Sequence, residues 1–265
     1  MIDKEDQVIP IGFRVLGEPT TDYPFCCCLG TQYEVGGPTF WTCSGVLIRL
    51  NVVLTAAHCG RSINRVLVGA FAIPERMPQG WAQHQGETFG LREPPIPCDH
   101  GELSPVDLML LILDRPSSVQ AVSLASTDDL LVSKQCEVVG FGYRDDTEPE
   151  SFGIKRKAMV PILLDSVQEL AAENLSRLTR EKDFDPRKEF VAGRDRFGHD
   201  SCRGDSGGPA LLHTGETVTL VGITSRAVRD ATRPCGDGGV YVRTDVNMAW
   251  IREMLTARGI ACDDL

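Results

Sequence analysis

The sequence predicts a mostly β protein built from short strands. Three observations carry this. Gly 26 and Pro 16 among 265 residues mark many turns. Helical periodicity is scarce until late in the chain. Apolar segments are mostly four to eight residues long and bounded by Gly, Pro, Asn or Asp, which is strand punctuation. At 42% hydrophobic residues the chain can bury a substantial core, as one domain or as two tightly packed halves.

In chain order, residues 1–24 are polar and Pro-rich and read as an arm. Strands are expected over Trp41–Ile48, Val52–Leu54, Val66–Val68, Asp107–Leu113 and Glu137–Phe141, then over Ala158–Leu163, Pro209–Leu212, Val218–Ser225 and Val240–Arg243. The Pro-rich stretch around 74–105 reads as a loop, and the charged, turn-rich stretches 143–157 and 179–200 read as surface loops. Two helices are expected. Ser166 and Glu169 form a capping box ahead of Val167, Leu170, Ala171, Leu175 and Leu178 on one face. The second runs from about Asp245 to Ala257, with Met248, Ile251 and Leu255 at helical spacing.

The net charge of −10 argues against nucleic acid or an anionic membrane as partner. No run of about twenty apolar residues is present, so no transmembrane helix is expected. Met1 to Gln7 is too polar for a signal peptide. Ten cysteines suggest an oxidising compartment without establishing one. Cys98, Asp99 and His100 with the Cys26–Cys28 run lack paired CxxC or HxxxH spacing, so no metal and no cofactor is expected.

Chemistry concentrates in three segments. In Gly204-Asp205-Ser206-Gly207-Gly208-Pro209 a serine sits on a Gly-flanked turn. A serine hydroxyl needs a base to become a nucleophile, and a tetrahedral intermediate needs backbone N–H donors for its oxyanion. Thr55-Ala56-Ala57-His58-Cys59 offers a base between small residues, and Cys59 with Cys43 suggests a disulfide closing this strand pair. Val106-Asp107-Leu108-Met109-Leu110-Leu111 opens an apolar strand with a carboxylate, costly without a buried partner, and His58 suits that role.

TAAHC, VDLMLL and DSCRGDSGGP, in that order, resemble the trypsin/chymotrypsin-like serine protease family over roughly residues 38–257. The resemblance implies two packed antiparallel six-stranded β-barrels with a C-terminal helix and the site in the cleft between them. It divides the chain into an arm or activation segment, 1–14, and a protease domain, 15–265. It implies a serine endopeptidase with His58, Asp107 and Ser206 as catalytic triad and an acyl-enzyme intermediate. Backbone N–H groups of Gly204 and Ser206 form the oxyanion hole, and Ser225 supports the triad aspartate. Asp200, six residues before Ser206, sits where the family places its specificity determinant, and Gly239 where the pocket must stay open. Cleavage of protein or peptide substrates after Arg or Lys follows, because another occupant would leave the carboxylate buried and unpaired. The alternative is an inactive homologue acting as a binding or regulatory module; a small-ester hydrolase is a third reading.

The pattern also has departures. Arg226 replaces the usual aromatic after the support serine and Ala227 the usual glycine, both at cleft-lining positions, and Arg226 is expected to favour acidic residues in the extended site. Cys43–Cys59 and Cys202–Cys235 match family disulfides. Cys136 sits at a family cysteine position whose usual partner position holds Leu212, Val191 stands where another family cysteine would be, and Cys26, Cys27, Cys28, Cys98, Cys136 and Cys262 stay unassigned. The family pairs a freed N-terminal ammonium with the aspartate before the nucleophile, here Asp205. Cleavage after Arg14, freeing Val15-Leu16-Gly17, is one source; Ile11-Gly12 is a second, and an internal cation from Lys155–Lys157 a third. Val15 stands closer than usual to a strand at Tyr23-Pro24-Phe25. The family is mainly secreted, so secretion and a cytoplasmic location both stay open.

Overall fold

The structure, a computed structural model, describes residues 17–98, 106–144, 148–163, 185, 187–193, 201–228, 231, 235–236 and 238–262. The helix expected at 166–178, together with Arg14, Val15 and Asp200, lies outside them. The described chain forms two sheets whose strands are antiparallel to their neighbours but for one short parallel pair.

The first sheet has seven strands: β2 (Cys26–Gln32), β3 (Thr39–Arg49), β4 (Val52–Thr55), β5 (Arg65–Ala70), β6 (Gln85–Phe89), β7 (Ile96–Pro97) and β8 (Met109–Ile112), in the order β6-β5-β2-β3-β4-β8-β7. The second has eight: β1 (Glu18–Pro19), β9 (Ser123–Leu124), β10 (Gln135–Gly140), β11 (Arg156–Pro161), β12 (Glu189–Ala192), β13 (Pro209–Thr214), β14 (Thr217–Ala227) and β15 (Gly239–Arg243), in the order β1-β11-β10-β13-β14-β15-β12, with β9 parallel to β14. The counts exceed the six expected per barrel because short edge segments pair as well. Helix α1 (Thr127–Val132) starts at a capping box in which Ser126 Oγ accepts from Asp129 N and Asp129 accepts from Ser126 N. Helix α2 (Met248–Thr256), preceded by a 3-10 turn at Asp245–Asn247, buries Trp250, Ile251 and Leu255, as the spacing predicts.

Side-chain alternation divides the core. Cys27, Leu29, Leu47, Val53 and Leu111 pack inside the first sheet. Val138, Val160, Phe190 and Val221 pack inside the second. The opposite faces of the same strands (Cys26, Cys28, Val46 and Leu54 from one sheet, Val139, Leu211 and Ile223 from the other) form the layer between them, which α2 also covers. Strands buried on both faces lose the alternating apolar signature. That is why β2, Cys-Cys-Cys-Leu-Gly-Thr-Gln, is not visible as a strand in the sequence.

The structure departs from expectation at four places. The end of the arm is docked: β1 pairs with β11, Glu18 opposite Lys157 and Pro19 opposite Arg156. Pro24-Phe25 is a turn rather than a strand, and Tyr23, at φ 55°, bends the chain from the second sheet into the first. The 74–105 stretch contains β6 and β7, short edge strands with little apolar patterning. The end of 143–157 is interior: Lys155 is 1% exposed and Arg156 5%.

Candidate active site

His58 sits on a 3-10 turn, Ala57–Cys59, at the end of β4. The Cys43–Cys59 disulfide ties this turn to β3, fixing the backbone on which the imidazole stands. Asp107 lies two residues before β8, which pairs with β4 so that Thr55 faces Met109. That register brings the carboxylate under the turn. Asp107 Oδ1 accepts from His58 N at 2.9 Å and Oδ2 from His58 Nδ1 at 2.8 Å. Ser225 Oγ, arriving on β14 from the other sheet, donates to the same Oδ2 at 2.6 Å. Burial pushes the Asp107 carboxyl up, but the hydrogen bonds from His58 and Ser225 and the His58 charge outweigh it and hold it below the usual carboxylate range.

The segment carrying Ser206 is pinned from both sheets. Ser44, wholly buried on β3, donates its N–H to Ser206 O at 2.8 Å and its hydroxyl to Gly204 O at 2.8 Å, while its Oγ accepts from Phe141 N at 3.0 Å. Gly207 N donates to Thr224 O on β14. Gly207 has φ 80°, and a Cβ there would overlap Thr55 Oγ1 and Ser44 O, so only glycine fits. Cys59 Sγ lies 3.6 Å from Ser206 O, placing the serine backbone against the His58 turn. Ser206 makes no side-chain hydrogen bond among the described residues.

Tyr143 N donates to Arg203 O at 2.9 Å, fixing the Arg203–Gly204 peptide and turning the Gly204 N–H the opposite way. Neither Gly204 N nor Ser206 N meets an acceptor among the described residues. Asp205, 1% exposed, has its carboxylate clamped by Gly142 N and Cys202 N, each at 2.8 Å. The buried Arg156, whose pKa burial lowers, is partly restored by the Asp205 charge.

Of the other residues singled out in the sequence, Ser225 joins the Asp107 cluster, while Ala227 and Gly239 face each other across the β14–β15 ladder. A Cβ on Gly239 would come within 3.0 Å of Ser201 Oγ. The Cys202–Cys235 disulfide is formed. Cys26, Cys27 and Cys28 are buried free thiols, Cys262 is a partly buried one, and Cys98 and Cys136 are buried. Arg226 differs from expectation. Its guanidinium grips Glu189 of β12 with Nη1 to Oε1 at 2.6 Å and Nη2 to Oε2 at 3.0 Å, so it presents no uncompensated cation to substrate. Sequence reasoning missed Ser44 and Glu189. Ser44 follows Cys43 directly, but nothing local announces partners 97 or 160 residues away.

The family model described as Trypsin matches residues 14–251, and the chain belongs to that family of serine proteases. Among curated proteins it is similar to Mast cell protease 3 of Ovis aries, 31% identical over 84% of this chain and 82% of that protein. Duodenase-1 of Bos taurus is 30% identical over 80% of this chain and 78% of its own length. Protein masquerade of Drosophila melanogaster is 28% identical over 83% of this chain, but this chain spans only 21% of it.

Proposed function

We propose that this protein is an endopeptidase that cleaves after Arg or Lys, with Ser206 as nucleophile, His58 as base and Asp107 as its orienting carboxylate. The observation that carries the reading is the run of bonds Ser225 Oγ to Asp107 to His58 Nδ1. It fixes the Nδ1–H tautomer and leaves Nε2 free to accept the serine proton. Ser206 Oγ attacks the scissile carbonyl carbon as His58 takes the hydroxyl proton. The oxyanion that forms is met by Gly204 N–H and Ser206 N–H, which meet no other acceptor among the described residues. His58 gives the proton to the leaving amine, the C–N bond breaks, and an ester to Ser206 remains. Water, deprotonated by the same histidine, hydrolyses it. Asp200, which matches the family's specificity position in the sequence, selects the cationic side chain, and Gly239 keeps room for it.

Fluorophosphonate labelling with peptide turnover tests this. Ser206→Ala abolishes labelling, and Ser206→Ala and His58→Ala each reduce turnover about 10⁴-fold or more, the order seen when a triad member is removed from a serine protease. The double variant loses no more than either single one. Additive losses sink the triad, and an unlabelled wild type leaves the inactive-homologue reading. A peptide library separates the pocket assignment: Arg and Lys dominate with the wild type and lose their preference in Asp200→Ser.

A further inference from the structure

Strand β14 is irregular where it passes Asp107. Thr224 pairs with Tyr241 and Arg226 with Val240, so Ser225 is an extra residue between two consecutive partners, a β-bulge. In a regular strand residues 225 and 226 would point to opposite faces. The bulge instead brings Arg226 Nη1 within 3.4 Å of Ser225 Oγ. Arg226 is held there by its two bonds to Glu189, a carboxylate 8% exposed that also accepts from Asp185 N at 3.1 Å. The result is a continuous line of polar groups: Glu189, Arg226, Ser225, Asp107, His58.

The chemistry of the line sets its direction. A guanidinium has donors only, and a serine hydroxyl has one proton. Facing Arg226, the Ser225 oxygen accepts, so its single proton is directed at Asp107 Oδ2, the oxygen that also receives His58 Nδ1–H. Without the guanidinium the hydroxyl can rotate and give that proton elsewhere, leaving Oδ2 with one donor fewer. Glu189 keeps the arginine from swinging into the cleft and matches its charge. We propose that Arg226, held by Glu189, is a positioning residue that acts through Ser225 to fix the Asp107–His58 pair. The proposal rests on the triad reading above.

Among the described residues, the charged groups around the line are few. Asp107 meets His58 from the segment before β8. β12 brings Glu189, with Asp185 and its partner Arg187 just ahead of it. β15 brings the uncharged Val240 and Tyr241 opposite the bulge. Removing the Arg226 charge alone leaves an unmatched carboxylate, which favours the imidazolium and raises the pH at which His58 becomes a base. Removing the Glu189 charge alone takes a carboxylate away from Arg226 and does the reverse.

The test is the second-order rate of fluorophosphonate labelling as a function of pH, which reads Ser206 reactivity without any peptide subsite. Wild type, Arg226→Gln, Glu189→Gln, Ser225→Ala and the Ser225→Ala/Arg226→Gln double variant are compared, each with a thermal melt. Arg226→Gln is expected to slow labelling about tenfold at its plateau, as loosened alignment does. It should also move the acid limb up by roughly half a pH unit or more. Glu189→Gln moves the limb down, and at the plateau Arg226→Gln adds nothing in the Ser225→Ala background. The proposal is overturned if plateau and limb stay within twofold of wild type in both charge variants, or if Arg226→Gln slows labelling equally without Ser225. Should Arg226→Gln fail to fold, Arg226→Lys and Arg226→Gln/Glu189→Gln carry the comparison, the latter removing both charges together. Labelling that survives Ser206→Ala overturns the triad reading, and this proposal with it. Ser206-dependent labelling with unchanged variants overturns this proposal alone.

Discussion

Gly142 shows how one missing side chain sets the nucleophile loop. Its N–H donates to Asp205 Oδ1 at 2.8 Å, and a Cβ built on it would lie 2.6 Å from both Asp205 Cγ and Arg203 O. Neither neighbour can yield. Asp205 is clamped by two N–H groups, and Arg203 O is the acceptor that orients the Gly204 peptide. Gly142→Ala should therefore cost about 1–3 kcal/mol of stability, as overpacking does. It should reduce fluorophosphonate labelling by more than that loss of folded protein explains. A melt beside a labelling rate checks it, and an alanine variant that labels like wild type shows that the loop tolerates displacement. At this scale the sequence was most legible where chemistry forces a residue type. His58, Asp107, Ser206 and Ser225 stand out from their motifs, and the structure brings His58, Asp107 and Ser225 into one bonded cluster. Glu189 and Ser44 do not, because a buried glutamate or serine is recognised only by the partner that satisfies it, and those partners are distant in sequence.

Among the elements, β2 combines three consecutive thiols with a buried cation. Burial pushes the Cys26 thiol from its ordinary 9.0 up to about 12. It drives Cys27 and Cys28 well above that ordinary value. Burial, aided by the Glu137 carboxylate, also raises the Tyr23 phenol. Each of these groups stays neutral in the fold at a pH where the unfolded chain ionises. Their stabilisation is complete below pH 9.0 and is lost as pH climbs from there through the folded values. Lys155, lowered by burial from 10.5, works the other way and regains stability as pH rises to that value. Three thiols and a phenol outnumber one amine. Thermal unfolding midpoints should fall steadily above pH 9.0, and replacing Cys26, Cys27 and Cys28 together by alanine should lower the starting midpoint but flatten the decline. An unchanged slope would assign the alkaline loss elsewhere. The same strand marks the limit of pattern reading. β3, β4, β5, β8, β10, β11, β13, β14, β15 and α2 were legible from apolar runs between turn residues or from helical spacing. β2 was hidden because both its faces are buried, and β6 because it carries one buried residue in five.

For the molecule as a whole, the two sheets meet at the site, and the N-terminal strand straps them together. β1 lies on β11 of the second sheet, Thr20 N donates to Lys155 O at 3.0 Å, and Lys157 Nζ pairs with Asp22 at 2.8 Å. Tyr23 then crosses over, its hydroxyl donating to Glu137 Oε2 at 2.5 Å and its carbonyl accepting from the buried Lys155 Nζ at 3.2 Å. This strap bears on the activation expectation for Arg14. Pro19 faces Arg156, Arg156 faces Gly140, and a Cβ on Gly140 would overlap the Asp205 carboxylate. Pro19 is thus two strand spacings, about 10 Å, from the Asp205 pocket. The four residue steps from Val15 to Pro19 span at most about 14 Å. Glu18 pairs with Lys157 and Gly17 lies against Lys157 O, so a new ammonium at Val15 reaches Asp205 only when β1 lifts from β11. We propose that cleavage after Arg14 supplies this cation and fixes the loop around Gly204. A cut before the measurement should then raise labelling of wild type several-fold, and Arg14→Gln should not respond to trypsin. N-terminal sequencing of the labelled chain identifies the cut. Full labelling by uncleaved Arg14→Gln would falsify the idea and hand the role at Asp205 to the cations already buried beside it, with Arg156 foremost because its own charge is already tuned by that carboxylate.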